Sequence, residues 1–328
     1  MKRVLLIMPN FFDYPKEITM ELKKIGYQVD CFDDRPSTNG FVKAIIRIKK
    51  DLIGWYIDRY FKKIMKCIQG KKYDIVFLIS GQSLSFSKDM ILQIKKEQPQ
   101  AKYVLYQWDS LKNFPYIKHI EPLFEKCYSF DKKDTEENEK LQFLPLFYTE
   151  RYAEIGKLEN GIYKYDFLFI GTAHPQKYMF INSIAQQLKE IYQKQFIYYF
   201  FPSRLVYFYR KFLNPELKNA SYSEFHFEPL TGKVLEDIYI ESRCILDSAQ
   251  AGQTGLTIRA IEALGAKKKL ITTNADVVNY DFYREENIYV YKGKIDYNSV
   301  FFKKPYMEIK SDIYKKYSLK NWLLTMLD

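Results

Sequence analysis

Short apolar runs alternate with amphipathic segments along the first half of this chain. Strands are predicted at 3–8, 28–32, 73–79, 102–106, 127–130 and 142–144, where Val, Ile, Leu and Tyr are concentrated. Between them, apolar positions recur with a helical period at 15–25, 41–69, 87–97, 116–125 and 133–140. Strands that alternate with helices in this way form parallel βαβ units, so a doubly wound sheet is predicted for this half.

The second half repeats this alternation after a polar segment, 148–164, which is interpreted as a link. Its predicted strands are 165–170, 195–201, 224–228, 243–247 and 269–273, and its predicted helices are 177–192, 232–241, 255–264 and 313–326. At 328 residues the chain is long enough for two domains that each bury a core. The predicted fold class is therefore α/β, with two Rossmann-like, doubly wound domains.

Composition and charge restrict the partners and the compartment. The net charge of +11 favours a polyanion, an anionic membrane surface or an acidic substrate. The apolar run 4–8 is too short for a signal peptide, and no stretch reaches the roughly 18 apolar residues of a membrane span, so a cytoplasmic protein is expected. The cysteines are scattered without a C-x-x-C pair, which indicates free thiols in a reducing compartment: Cys31, Cys67, Cys127 and Cys244.

Metal chemistry is not expected from this sequence. A D-x-D motif is missing, and the three histidines, His119, His174 and His226, are far apart. A P-loop and a G-x-S-x-G elbow are also missing. We therefore predict neither a metal site nor a bound cofactor.

A glycine-bearing loop before a short predicted helix is the most informative segment, GQTGLTIRAIEALGAKKKLITTN from 252 to 274. Such a loop presents free backbone N–H groups and the positive end of the helix dipole, which suit a phosphate group. Arg259 and Glu262 share one helix face, and a carboxylate there can accept hydrogen bonds from ribose hydroxyls. The alternative is an ordinary loop–helix–strand unit with a surface Arg–Glu pair. The nucleotide-binding candidates are Gln253, Thr254, Gly255, Leu256, Thr257, Arg259 and Glu262.

Two other strands of the second half end in polar residues. One ends near Gly171, Thr172 and His174, with Lys177 beside the following helix, where its charge can offset that of a leaving diphosphate. The other ends in Asp247, which can orient the glycine-bearing loop or bind a sugar hydroxyl, or simply cap a turn. Ligands of open α/β sheets bind outside the carboxyl ends of strands, so one site is expected there. A helix-capping turn with a solvated lysine is the alternative for 171–177.

These segments resemble the donor-binding signature of GT-B glycosyltransferases, in particular bacterial enzymes that assemble capsule, lipopolysaccharide or other surface polysaccharides. The stretches FLPLFY (143–148), FIGTAHPQKY (169–178) and NYDFY (279–283) fit the same group. The resemblance implies two domains facing across a cleft: an acceptor-side domain, 1–150, and a donor-binding domain, 151–311. It also implies that a last helix, 312–328, packs back on the first domain. In one respect the chain departs from the superfamily pattern of two glutamates separated by seven residues: Glu262 matches the second, but Thr254 occupies the first position.

The first half supplies the candidates for catalysis on the acceptor side. Asp109 follows a predicted strand, and an inverting transferase needs a base that takes the proton of the acceptor hydroxyl. Asp13, after the first strand, is the rival candidate, and a turn-forming role is the alternative for Asp109. Gly81, Gln82 and Ser83 follow the third strand and are predicted to bind acceptor hydroxyls.

A basic, aromatic-rich stretch suggests a membrane surface as a partner. The predicted helix 41–69 carries Trp55, Tyr56, Tyr60 and Phe61 among many lysines and arginines, and 204–211 has a similar character. A basic amphipathic helix with aromatic residues can lie on an anionic membrane, or it can pack its apolar face on the sheet. Nucleic-acid binding is not expected, because no helix-turn-helix, RNA-recognition or zinc-finger pattern accompanies the charge.

The function predicted from these features is a metal-independent, hexosyltransferase-type glycosyltransferase. It would move a sugar from a nucleotide-sugar donor to a growing, lipid-linked bacterial surface glycan, in the cytoplasm or on the inner face of the membrane. The alternatives are a sugar-nucleotide epimerase of the same architecture, and a non-catalytic protein that binds a membrane or nucleic acid.

Overall fold

The computed structural model describes residues 1–37, 39, 42, 45–46, 49–81, 84–158, 161–249 and 253–327. The chain divides into two compact units by its internal contacts. Unit 1 comprises Met1–Pro145 and Leu319–Asp328, and unit 2 comprises Leu146–Ser318.

Unit 1 is built on a six-stranded parallel sheet. Its strands are β1 (Arg3–Met8), β2 (Gln28–Asp33), β3 (Ile75–Ser80), β4 (Lys102–Gln107), β5 (Lys126–Ser129) and β6 (Leu141–Phe143). They pair in the order β2-β1-β3-β4-β5-β6. Strand β3 is buried at every position, as its unbroken apolar sequence predicts for a central strand of a parallel sheet. The helices that connect these strands are α1 (Tyr14–Lys24), α2 (Gly54–Ile68), α3 (Lys88–Glu97), α4 (Ile117–Ile120) and α5 (Lys132–Glu137), with 3-10 turns at Lys50–Ile53 and Glu121–Leu123.

Unit 2 contains a second six-stranded parallel sheet. Its strands are β7 (Phe167–Thr172), β8 (Gln195–Phe200), β9 (Phe225–His226), β10 (Cys244–Asp247), β11 (Lys269–Thr272) and β12 (Ile288–Val290), in the order β12-β11-β10-β7-β8-β9. Counted within the unit, this is the strand order of dinucleotide-binding domains. Its helices are α6 (Glu150–Lys157), α7 (Pro175–Leu188), α8 (Arg204–Leu213), α9 (Gly232–Ile240), α10 (Ile258–Gly265), α11 (Val300–Lys303) and α12 (Ser311–Lys316), with 3-10 turns at Pro215–Leu217, Tyr222–Glu224 and Ala275–Asn279. The predicted pair of doubly wound α/β sheets is confirmed.

Each sheet has one point where the strand order reverses. In unit 1 the reversal lies between β1 and β3, and in unit 2 it lies between β7 and β10. The loops that leave two such strands go to opposite faces of the sheet, which opens a crevice at the carboxyl ends. A ligand crevice is therefore expected at the carboxyl ends of β1 and β3 in unit 1 and of β7 and β10 in unit 2.

The last helix predicted near 313–326 is two helices, α12 in unit 2 and α13 (Leu319–Leu327) in unit 1. Between them the Tyr317 carbonyl accepts a hydrogen bond from the Tyr148 N–H at 2.9 Å, and the Tyr317 hydroxyl donates to Asp281 Oδ1 at 2.5 Å. These contacts fix Tyr317 in unit 2, so a single continuous helix does not form.

Two other predicted elements differ from the structure. The segment interpreted as a link, 148–164, contains α6, with Tyr152 and Ile155 buried. The helix predicted from 255 begins only at Ile258, because the Thr257 hydroxyl accepts a hydrogen bond from the Ala260 N–H at 3.3 Å and caps it there.

Candidate functional site

The strand-order reversal of unit 2 brings together an arginine and a buried aspartate. Arg259 on α10 donates from one guanidinium nitrogen to Asp247 Oδ1 at 3.3 Å and from another to the carbonyl of Ile170 at 2.5 Å. The Asp247 side chain is fully buried, and its other oxygen accepts from the Thr272 hydroxyl at 3.2 Å. Arg259 thus bridges the ends of β7 and β10, as expected for residues at one edge of a parallel sheet. Burial lowers the pKa of Arg259, but its electrostatic interactions with Asp247, Tyr239 and Glu262 more than offset this, so the pKa is raised.

Lys177 lies in the first turn of α7 and interacts electrostatically with Arg259 and Asp247. Burial lowers the pKa of Lys177, the positive charge of Arg259 lowers it further, and Asp247 offsets the shift only in part. The lysine is half-buried, and among the residues that the structure describes it forms neither a hydrogen bond nor an ion pair. Within the described ranges, the Lys177 ammonium therefore has no ion-pair partner of its own.

Gly171 permits close packing at the end of β7. A Cβ atom there would come within 2.9 Å of the Phe169 ring and 3.4 Å of an Arg259 guanidinium nitrogen. The Arg259 guanidinium lies over that same ring, 5.5 Å from its centroid. Thr172 and His174 are exposed beyond it, and His174 precedes α7 without a side-chain cap. The first N–H groups of α7 are therefore not used by His174.

Asn274, two residues after the end of β11, holds the described part of the glycine-bearing loop, 253–257. It was not among the predicted site residues. The Asn274 side-chain amide donates to the carbonyls of Thr254 and Gly255, both at 3.1 Å. Gln253 adds a bond from Nε2 to the Gly255 carbonyl at 2.8 Å. The only signal for Asn274 was its position directly after a buried strand. Asn274 thus turns the carbonyls of this loop toward the protein.

Four predicted donor-binding residues serve the helix or the core in part. Leu256 is buried, with 2% of its surface exposed, and the Thr257 hydroxyl caps α10. Glu262 is 6% exposed and acts electrostatically on Arg259 and Tyr239, so the pair with Arg259 is buried rather than a surface pair. Thr254 is half-buried. The ribose contact of Glu262 stays a prediction.

In unit 1 two predicted residues from neighbouring strands meet. Gly81 follows β3 and Asp109 follows β4, and a Cβ atom on Gly81 would lie 2.5 Å from Asp109 Oδ2. The Trp108 N–H donates to the carbonyl of Ser80 at 2.8 Å, which continues the pairing of the two strands and places Asp109 over the glycine. Gln82 and Ser83, the other predicted acceptor-binding residues, lie outside the described residues.

Asp13, the rival base, is at the N-cap position of α1 and makes no side-chain cap. Its neighbours form an aromatic cluster with Trp108, whose ring centroid lies 5.2 Å from that of Phe11 and 5.7 Å from that of Tyr14. Phe12 is 69% exposed and has a φ of +48°, a conformation that bulky residues rarely adopt. Asp109 thus lies next in sequence to an aromatic surface at the carboxyl edge of the sheet.

Three of the four predicted aromatic residues in the described part of the helix 41–69 are buried or half-buried. Helix α2 buries Ile57, Phe61, Ile64 and Ile68 in the core of unit 1. The hydroxyl of Tyr60 donates to the carbonyl of Asp33 at 2.9 Å, and that of Tyr56 to the carbonyl of Pro36 at 3.2 Å. Trp55 alone of the four predicted rings is mostly exposed. Phe61 is buried against the sheet, so the four rings do not form one exposed face. Membrane binding by this stretch stays a prediction.

The described residues contain no group of three or more His, Cys, Asp or Glu side chains placed to hold a metal ion. Within the same ranges, no helix combines the length and the apolar character needed to cross a bilayer.

Comparison with known proteins establishes the fold. No protein-family model matches this chain, and no curated protein sequence matches it. Sucrose-phosphate synthase from Thermosynechococcus elongatus is similar in structure, with a TM-score of 0.58 and 10% identity over 98% of this chain and 93% of that chain. HepE of Anabaena in complex with UDP-glucose gives a TM-score of 0.54 and 8% identity over 99% and 94% of the two chains. UDP-GlcNAc 2-epimerase from Neisseria meningitidis bound to UDP-GlcNAc gives a TM-score of 0.55 and 12% sequence identity, and the match covers 98% of each chain. The predicted GT-B class of two-domain α/β fold is confirmed.

Proposed function

We propose that this chain is a glycosyltransferase that moves a sugar from a nucleotide-sugar donor to a glycan acceptor without a metal ion. The observation that supports this most directly is Lys177, a half-buried cation beside Arg259 that has no anionic partner among the described residues. A diphosphate at this edge of the sheet would supply the missing negative charge. It would also meet the N-terminal N–H groups of α7 and α10.

The chemistry needs positive charge where the donor's leaving group develops negative charge. When the bond between the sugar and the diphosphate breaks, the departing oxygen gains charge, and fixed cations and helix N-termini stabilise it. The Arg259 guanidinium is already bonded to Asp247 and to the Ile170 carbonyl, so it would provide a fixed positive charge beside the phosphates. Lys177 would be the cation that contacts the phosphates, and Glu262 the acceptor for ribose hydroxyls.

Asp109 is the proposed base. It would take the proton from the acceptor hydroxyl as that oxygen attacks the sugar carbon, and Gly81 provides the space that the carboxylate occupies. The aromatic surface of Phe11, Phe12 and Trp108 would hold the acceptor. This assignment implies inversion at the sugar carbon, because a retaining mechanism has no need of such a base.

The acceptor is proposed to be a lipid-linked glycan that grows into a bacterial surface polysaccharide of the capsule or lipopolysaccharide type. This proposal rests on the sequence segments at 143–148, 169–178, 252–274 and 279–283. It would place the protein in the cytoplasm, at the inner face of the membrane.

The test starts with binding of uridine and guanosine diphosphates to the full chain by calorimetry. Lys177→Met should weaken binding by at least about tenfold, the size of one charge-assisted hydrogen bond. Lys189→Met is the matched control, because Lys189 is exposed at the other end of α7 and should leave affinity unchanged. A wild-type chain that binds no nucleotide would contradict the proposal and favour a non-catalytic binding protein.

The rival enzyme is a sugar-nucleotide epimerase, because one of the similar structures is a UDP-GlcNAc 2-epimerase. A transferase releases free nucleoside diphosphate in proportion to added acceptor. An epimerase converts the nucleotide sugar without any acceptor, which proton NMR of the reaction mixture detects. Conversion without an acceptor would overturn the transferase assignment while leaving the nucleotide site in place.

A further inference from the structure

Helix α8 (Arg204–Leu213) carries its apolar stripe on the outside. Five apolar side chains recur at helical spacing and are all more than half exposed: Leu205 82%, Phe208 57%, Tyr209 65%, Phe212 89% and Leu213 53%. In a helix that packs on a core the stripe faces inward, but here Tyr207 alone is buried. Exposed, contiguous apolar side chains of this kind mark an interaction surface.

The helix keeps its shape without burying that stripe. Ser203 Oγ accepts from the Val206 N–H at 3.2 Å and caps the start, and the Asn214 side-chain amide donates to the Arg210 carbonyl at 2.7 Å at the end. Tyr207 anchors the inner face, with its ring 5.0 Å from Phe225 and 5.6 Å from Phe201. Lys211 Nζ donates to the Ala220 carbonyl at 2.7 Å. The outward face is therefore preformed.

The positive charge of α8 indicates which kind of partner binds to its exposed face. Its ten residues include Arg204, Arg210 and Lys211 and no acidic residue. A second copy of the chain would pair this patch with itself across a two-fold axis and bring the like charges together. An anionic bilayer surface takes the apolar side chains into its acyl boundary and meets the cations with its head groups.

We propose that the outward face of α8 inserts into the surface of an anionic phospholipid bilayer. The aromatic and leucine side chains enter the interface, while the exposed Arg204 and Arg210 stay at head-group level and Lys211 keeps its bond to the Ala220 carbonyl. Helix α8 follows β8 in the chain, so it starts at the same edge of the unit 2 sheet as the Lys177 site. The inference stands on exposure and charge, and does not depend on the proposed donor chemistry.

The test is flotation of the full chain with vesicles of phosphatidylcholine alone or mixed with phosphatidylglycerol. Leu205→Ser with Phe212→Ser removes the two most exposed side chains of the stripe and leaves every charge and the buried Tyr207 in place. This variant should bind the mixed vesicles at least about tenfold more weakly, because two large apolar side chains no longer leave water. Arg210→Gln should weaken binding severalfold at low salt and little at high salt, where head-group attraction is screened.

Leu52→Ser with Trp55→Ser is the matched control, since it removes exposed apolar side chains next to the start of α2 in unit 1. It should bind vesicles as the wild type does. The inference is overturned if the wild type fails to float with phosphatidylglycerol at low salt, or if the α8 variant floats equally well. It is also overturned if the control loses binding instead, or if the α8 variant only abolishes self-association seen by sedimentation. Unchanged melting of each variant shows that the fold is intact.

Discussion

The carboxylate of Asp109 occupies the space that a side chain on Gly81 would fill. A Cβ atom at Gly81 would lie 2.5 Å from Asp109 Oδ2, so any other residue there forces the carboxylate to move. The two residues come from the ends of neighbouring strands, β3 and β4, and the glycine fixes where the acid can point. This makes Gly81 a positioning residue for Asp109.

Gly81→Ala should lower kcat by about 10–100-fold through displacement of Asp109, since a shift of about 1 Å in a reacting group can cost that much. Asp109→Asn should lower kcat by about 100-fold or more by removing the base. In both variants the affinity for nucleotide should be unchanged. Gly54→Ala is the control, because nothing lies within 4 Å of a Cβ atom there. If Gly81→Ala is fully active while Asp109→Asn is not, the positioning role is wrong.

Lys177 should make nucleotide affinity depend on pH. The charged ammonium binds phosphate, so affinity is complete below the pKa of Lys177 and is lost as the pH rises through it. Burial and the nearby Arg259 lower that pKa, so the loss should begin below the range of an ordinary lysine, about 10.4. Calorimetry of Lys177→Arg should show a flat profile over the same interval.

The same lysine should reduce stability in the absence of nucleotide. Because the folded state lowers the pKa of Lys177, the protonated form is disfavoured in the fold below that pKa, and the penalty fades as pH rises toward the unfolded value. Lys177→Met should therefore raise the melting temperature at neutral pH while it weakens nucleotide binding. A fall in melting temperature would indicate a structural role for the lysine.

Glu262→Gln should weaken nucleotide binding by about 1–3 kcal/mol if the carboxylate accepts from ribose hydroxyls. The side chain is buried beside Arg259 and Tyr239, so the nearly isosteric amide is a better probe than alanine. Glu241→Gln, at an exposed ion pair with Lys164, should have no effect on binding. Equal affinities of Glu262→Gln and wild type would remove the ribose assignment.

Asn274→Ala should destabilise the chain by about 1–3 kcal/mol, because the carbonyls of Thr254 and Gly255 lose a shared donor. It should also weaken nucleotide binding, since the loop is no longer held against β11. Asn279→Ala, which removes only an exposed bond to Asp276, should change stability by less than about 0.5 kcal/mol. Chemical denaturation and calorimetry on both variants test this pair of effects.

Transfer activity should survive an excess of EDTA, because the proposed mechanism stabilises the leaving diphosphate with Lys177, Arg259 and helix N-termini. The measurement is nucleotide release with and without the chelator, followed by addition of magnesium or manganese. A loss that either ion restores would show that a metal site had been missed.

Most of the strands could be predicted from the sequence, because apolar runs and helical periods are local features, but the short edge strand β12 was not predicted. The bounds of β1 agree with the prediction, and those of β4 and β10 agree to within one residue at each end. The sequence also singled out Arg259, Asp247 and Lys177, and the structure places them together because polar residues after buried strands gather at one sheet edge. Their role in donor binding stays a prediction.

The tertiary structure decided what depends on contacts between distant segments. Only packing could show that Asn274 holds the loop, that Gly81 makes room for Asp109, and that Glu262 is buried. Helices α2 and α8 have similar basic and aromatic compositions, but α2 buries its apolar face and α8 exposes it. Periodicity gives the apolar face of a helix, but only the position of the neighbouring sheet decides whether that face meets the core or the solvent.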